Sequence, residues 1–264
     1  MKPTKNKRKS IPAQPAPAIS KQRPDLTARS MRTAVLAATL ALLAIICHRL
    51  GLIDYRAALL GLLLSAASGL FAIFFGAVGT WRAKQAKEPE LAATLGGSTL
   101  ALLIVVPLLA TAVTGIGKPM IHDISTDLQN PPEFIAIPAL RSTSDNSLNR
   151  SDPENLISLQ QEYYADLNTL FIDRPFEQVF EQAVMLVKQR GWEIASVSAA
   201  NGRIEATDTT LLMGFKDDVV IRIQTEGNRT RVDMRSVSRA GKGDLGVNAE
   251  RIRSFLAALK QQLP

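Results

Sequence analysis

The sequence predicts an α+β domain carried on three N-terminal transmembrane helices, and three observations predict it. Long, nearly uncharged apolar runs at 33–53, 57–79 and 91–116 fill the first half of the 264 residues, and none follows. Each has roughly the 20 residues that a helix needs to cross about 30 Å of hydrocarbon. Beyond residue 160, apolar residues at helical spacing bracket four stretches of alternation, the pattern of an antiparallel sheet flanked by helices. The lone cysteine, Cys47, lies in the first apolar run, so the folded part has no disulfide and must stand on its core, for which roughly 105 residues suffice.

The chain opens on a basic stretch, 1–32, rich in Lys, Arg, Pro, Ala and Gln, which reads as a disordered cytoplasmic tail attracted to anionic lipid. The transmembrane region follows at 33–116. His48 and Arg49 interrupt the first run, yet an arginine near a helix end lifts its head to the interface while its stem stays in lipid. A cleaved signal peptide is the rival reading; the long basic leader and the two further spans favour an anchor. Asp54, Tyr55 and Arg56 centre a tight connector between the first two spans. Gly61, Ser65, Ala66, Ser68 and Gly69, then Gly96, Gly97 and Ser98, are small residues that let helices approach closely in lipid, and Pro107 should kink the third. No span carries an Asp, Glu or Lys at its centre, which disfavours a transporter.

Charge decides the side. Counted near the span ends, twelve Lys and Arg lie on the side of the N-terminus and the second connector, against Arg49, Arg56 and Lys118 on the other. The excess places the N-terminus in the cytoplasm and, after three crossings, everything beyond Lys118 outside it. For an inner-membrane protein that compartment is the periplasm. The net charge of +7 divides into +10 over residues 1–117 and −3 over the remainder. The basic character therefore flanks the membrane and gives no reason to expect nucleic acid as a partner.

Residues 117–159 read as an extended arm and flexible connector. Pro131, Pro132 and Pro138 precede a polar run with almost no large apolar residue, and a short helix is expected at 154–163. The exported domain, 160–264, opens on a helix from Pro175, with Phe176, Val179, Phe180, Ala183 and Val187 on one face and Gly191 ending it. Strands at 192–199 and 203–207 flank an Asn201-Gly202 turn, which favours a hairpin. Val219, Ile221 and Ile223, then Val232 and Met234, alternate with polar residues on two further strands. Ile252, Phe255, Leu256, Leu259 and Leu263 stripe a closing helix. The expected order is helix, four strands, helix.

From Phe215 the residues become particular: Phe215 to Arg222, then Arg235, Ser236, Val237, Ser238 and Arg239, then Gly241 to Gly246, with Asn248 and Arg251. Together with Ile121 to Asp127 and Pro131-Pro132, this pattern resembles the domain-of-unknown-function family numbered 1499. The resemblance spans about 121–263. It implies a membrane-anchored protein of the kind common in proteobacteria, in agreement with the charge argument, and it carries no catalytic residues. The insertion at 141–155 is long for that pattern.

The polar residues of this block offer three readings. Asp217 and Asp218 open a strand, so they point to opposite faces and cannot form an acid/base pair. In the first reading one of them meets Arg235 or Arg239 in a salt-bridged cluster that fixes the following loop. In the second, Ser238, Arg239, Lys242, Asp244 and Asn248 make an anion or headgroup site near the start of the last helix, where amides and dipole favour negative charge; Arg251 lies one turn on. In the third, Asp218, Asp244 or His122 serves as base in an envelope hydrolase acting on lipid or cell-wall material. Gly241-Lys242-Gly243 lacks the remainder of a phosphate loop, and Ser236 and Ser238 have no nearby His. His122, Asp123 and Asp127 are a polar turn before they are a metal site; no metal or cofactor is expected. The partners expected are membrane lipids, with an envelope protein or an anionic ligand as further ones. A non-enzymatic role is favoured, and the hydrolase is the alternative.

Overall fold

A computed structural model describes residues 25–86, 91–150 and 153–263. Most of the expected basic tail, up to residue 24, and Lys87 lie outside the described residues. Three long helices come first, α1 (Leu26–Arg49), α2 (Tyr55–Ala86) and α3 (Leu91–Thr114), each long and apolar enough to cross a membrane. α1 starts seven residues earlier than the apolar run suggests, because the Asp25 carboxylate accepts the Ala28 amide at 3.0 Å and caps it. Arg29 and Arg32, expected in the tail, are therefore helical. α3 continues through Pro107.

The small residues do what their size allows. A Cβ on Gly69 would lie 2.4 Å from Val105 Cγ2, and one on Gly61 would lie 2.9 Å from Ala44 Cβ. Ser30, Ser65 and Ser68 donate across helices to the carbonyls of Ala72, Ala37 and Thr33 at 2.9, 2.7 and 3.0 Å, which satisfies polar groups where lipid offers none.

The folded domain comprises α4 (Leu156–Tyr163), α5 (Phe176–Gln189), α6 (Val247–Gln262) and a six-stranded antiparallel sheet. The strands are β1 (Asp123–Ser125), β2 (Leu170–Ile172), β3 (Glu193–Ser198), β4 (Arg203–Thr209), β5 (Lys216–Glu226) and β6 (Arg229–Ser238). They run in the order β1-β6-β5-β4-β3, and β2 lies end to end with β1 along the outer edge of β6. The four expected strands are present. β1 and β2 are additional, three residues each, too short for alternation to reveal.

One sheet face is apolar. Ile204 and Ala206, Val219, Ile221 and Ile223, and Val232 and Met234 point to α5 and α6, which bury Val179, Phe180, Ala183, Leu186, Val187, Ile252, Phe255 and Leu259 against them. Each Val, Leu, Ile, Phe or Met among them is worth about 1.5–3 kcal/mol. Gly191, at φ +70°, closes α5 in the left-handed conformation. Gly202, at φ +56°, sits so close to Ile223 that a Cβ would lie 1.9 Å from its carbonyl oxygen; only glycine fits this hairpin.

The other face is polar, and the arm covers it. Residues expected as a flexible connector run across this face: Phe134 and Ile137 pack on Val220 and Val237, and Glu205, 1 % exposed, accepts the amides of Ile135, Ala136 and Ile137 at 2.9 Å each. The arm is held there by charge and amide capping around a small apolar cluster, without the periodic stripe that hydropathy would reveal.

The domain sits at the end of the helical group formed by the C-termini of α1 and α3. His48 and Tyr55 pack on Phe215, ring centroids 5.5 and 6.3 Å apart. Leu245, the one non-glycine with positive φ (+56°) among the described residues, reaches Gly115, where a Cβ would lie 2.4 Å from its Cδ2.

Candidate functional site

The nine residues weighed for a binding site, Asp217, Asp218, Arg235, Ser238, Arg239, Lys242, Asp244, Asn248 and Arg251, are divided by the sheet. Asp217 stands opposite Ser238 and Asp218 opposite Val237 in the β5–β6 ladder, so alternation sends Asp217 toward α6 and Asp218 toward the arm.

On the α6 side, Arg251 organises a buried cluster. Its guanidinium donates to Asp217 Oδ2 at 2.6 Å, Asp208 Oδ2 at 3.0 Å, Asn248 Oδ1 at 2.7 Å and Ser236 Oγ at 3.1 Å. Asn248, fully buried, donates from Nδ2 to Ser238 Oγ at 2.8 Å and to the His122 carbonyl at 3.1 Å. Asp244 caps α6, its two oxygens accepting the amides of Gly246 and Asn248, both at 2.8 Å. Burial raises the Asp244 pKa above the ordinary carboxylate value, against the pull of those amides and with Asp217 adding to the rise. The free amides that would attract an anion at this helix start are thus met by a carboxylate already in place.

On the arm side, Asp218, fully buried, accepts Arg239 Nε at 2.9 Å and Nη2 at 2.7 Å, Thr207 Oγ1 at 2.8 Å, and Arg141 from the arm. Burial lowers the pKa of Arg239, but its hydrogen bond and ion pair with Asp218 outweigh this, and the guanidinium is held above its ordinary value. Arg235 grips Asp123 of β1 through Nε at 3.0 Å and Nη2 at 2.6 Å, and Arg150 joins the same carboxylate. Farther along, Arg222 and Arg231 both clamp Asp127 and Asp233 at 2.6–3.0 Å. Burial acts to raise the Asp127 pKa; the Asn130 amide, Arg231 and Arg222 more than offset it and leave it below the ordinary value.

The first of the three readings describes these contacts: Asp218 pairs with Arg239, while Asp217 takes Arg251 and Arg235 takes Asp123. Lys242 alone of the nine is exposed, and its carbonyl lies 3.3 Å from His122 Nδ1. Asp218 and Asp244, two of the three candidate bases, lie on opposite faces of the sheet. Among the described residues no three His, Cys, Asp or Glu side chains are grouped to hold a metal ion. Shallow cavities of about 340 and 250 Å³ border Asp173–Phe176 with the β5–β6 turn, and Asp166 with Arg253; none of the nine lines them.

The residues that sequence reasoning missed are Arg141 and Arg150 in the polar run, Asp233 with Arg222 and Arg231, Glu205, and Gln160. Gln160 of α4, 1 % exposed, mimics a neighbouring strand by accepting the Ser125 amide at 3.1 Å and donating to its carbonyl at 2.6 Å. A signal was present for part of this set: Arg231, Asp233 and Arg235 alternate along β6, so three successive positions on one face of a strand are charged.

No curated protein matches the sequence. A family model described as protein of unknown function (DUF1499) matches residues 123–259, from β1 into α6 and so across both the charged face and the α6 cluster. With more than half of its length matched, the chain belongs to the DUF1499 family.

Proposed function

We propose that this chain is a non-enzymatic protein of the cell envelope, anchored in the inner membrane with its N-terminus in the cytoplasm, and presenting its α+β domain in the periplasm as a rigid binding or scaffolding module for lipid or an envelope protein. The observation that carries the reading is the saturation of the polar centre. Eight of the nine candidate side chains are spent on one another, on arm residues or on backbone groups. A site that bound an anion or moved protons would keep a cation or a base unspent. A buried network whose members are all matched rigidifies a fold.

Chain geometry supports the orientation. Arg49 and Gly115 lie at the domain, whereas Arg29, Arg32, Arg82 and Lys84 lie toward the other ends of α1 and α2, and an excess of Lys and Arg marks the cytoplasmic end.

The test is native mass spectrometry of the full chain extracted from its own envelope, with alkaline phosphatase fused to the C-terminus to report the side. Active phosphatase and a discrete co-purifying lipid or protein are expected. An unliganded mass, together with turnover of a lipid or cell-wall substrate that Asp244→Asn abolishes, replaces this reading with the hydrolase.

A further inference from the structure

The loop between β4 and β5 has a composition at odds with its position. Leu211 and Leu212 project from the domain, 88 % and 64 % exposed, and Leu211 is more exposed than any other large apolar residue described. Exposed leucines scattered singly need no explanation, but two adjacent ones at the tip of a short loop do.

Two features of the loop belong together. The first is its location. Arg49, the last residue of α1, donates from Nη1 to the carbonyls of Leu211 and Leu212, and Phe215 packs on His48 and Tyr55 at the α1–α2 hairpin. An arginine and aromatic rings at a span end mark the depth of the headgroups, so the loop tip lies at that depth. Leu50 and Leu52 of the hairpin, 68 % and 69 % exposed, continue the apolar surface.

The second feature is that the loop's backbone is tied at its base and held at its tip. The Thr210 amide donates to the Phe215 carbonyl at 2.9 Å, the Gly214 amide to the Thr210 carbonyl at 3.0 Å, and the Phe215 amide to Thr210 Oγ1 at 2.9 Å; Arg49 meets the two carbonyls at the tip. Gly214, at φ +70°, allows the turn. Irregular backbone enters a low-polarity layer only if its amides and carbonyls are met within the protein. This loop meets that condition in part, with its apolar side chains turned outward: among the described residues the amides of Leu211, Leu212 and Met213 have no protein partner, so the tip suits the hydrated headgroup layer and not the hydrocarbon beneath it.

We infer that the β4–β5 loop is a membrane-inserting finger, with Leu211 and Leu212 seated in the interfacial region of the same bilayer that the three helices cross and fixing the domain at a set height over the lipid. The inference rests on the reading that α1–α3 span a membrane. It assigns the loop's occupant as lipid, which is continuous with the surface of the hairpin beside it.

The test uses the full chain with Cys47→Ser as background, reconstituted in nanodiscs of phosphatidylethanolamine and phosphatidylglycerol, some carrying a doxyl group on the acyl chain. An environment-sensitive fluorophore is attached in turn to Leu212→Cys, to Leu63→Cys within α2, and to Val197→Cys. Val197 of β3 pairs with Ile204, at the end of β4 remote from the loop. A blue-shifted, doxyl-quenched emission at 212 and 63, with a water-like, unquenched one at 197, is expected. Quenching at 63 without quenching at 212 overturns the finger and leaves the spans standing. An unquenched probe at 63 overturns the membrane reading itself. A blue shift at 212 without quenching points to a second protein surface and also overturns the inference.

Discussion

Buried polar atoms in this domain are matched almost without exception, which gives the few exceptions value. Tyr164 is 3 % exposed, its hydroxyl is hidden, and no hydrogen-bond partner reaches it. Burial, with the Asp244 charge adding to it, pushes its pKa up to about 12. An unmatched buried hydroxyl costs about 1–3 kcal/mol, while the ring that carries it earns its place by packing. Lys118 Nζ lies 5.9 Å above that ring, a contact that needs no hydroxyl. Tyr164→Phe should therefore leave the domain as stable or more stable by about 1 kcal/mol, read by chemical denaturation of the full chain in detergent; a clear loss would mean that the hydroxyl has a buried water as partner.

The arm is the element whose attachment differs most in kind from the rest. α5 and α6 bind the sheet through apolar area, and their 3.6-residue stripes, such as Val179 to Val187, are legible in the sequence, as are the β3–β4 hairpin at Asn201-Gly202 and the alternation of β5 and β6. β1 and β2 were not legible because three residues carry no period and their partner strand lies far along the chain. Arg141 and Arg150 stand among Ser, Asn and Asp, where any local reading gives a linker; only Asp218 and Asp123, supplied by the folded sheet and β1, give them a place. The same holds for the candidate site. Its residue types were readable, while their mutual saturation is a property of the tertiary structure. Attachment by charge predicts a pH response. Asp127 has its pKa depressed in the folded state, so its contribution to stability is present above the ordinary value of 3.8 and is lost as pH falls through the lower native value. The gap in thermal midpoint between the native chain and Asp127→Asn should be constant above that value and close below it, as followed by circular dichroism; a gap that persists into acid would show that Asp127 acts through shape and not charge.

For the molecule as a whole, the question is how far the domain and the helices behave as one body. Leu245 accepts a left-handed backbone, which costs a side-chain-bearing residue about 1–2 kcal/mol, and its side chain lies on Gly115. Gly115→Val should push that contact apart. In nanodiscs, amide exchange should quicken in the 210–215 and 241–246 loops and stay slow in β4–β6; a uniform rise would mean that the domain depends on its anchor to fold. A last consequence follows from β1 lying against β6. During synthesis the arm emerges well before the strand it pairs with, since Asp123 must wait for Val237. Its carboxylates and guanidiniums stay hydrated through that interval, and folding of the domain is gated by the arrival of the C-terminal hairpin. A chain stopped short of β6 would leave the arm open to proteolysis along its whole length.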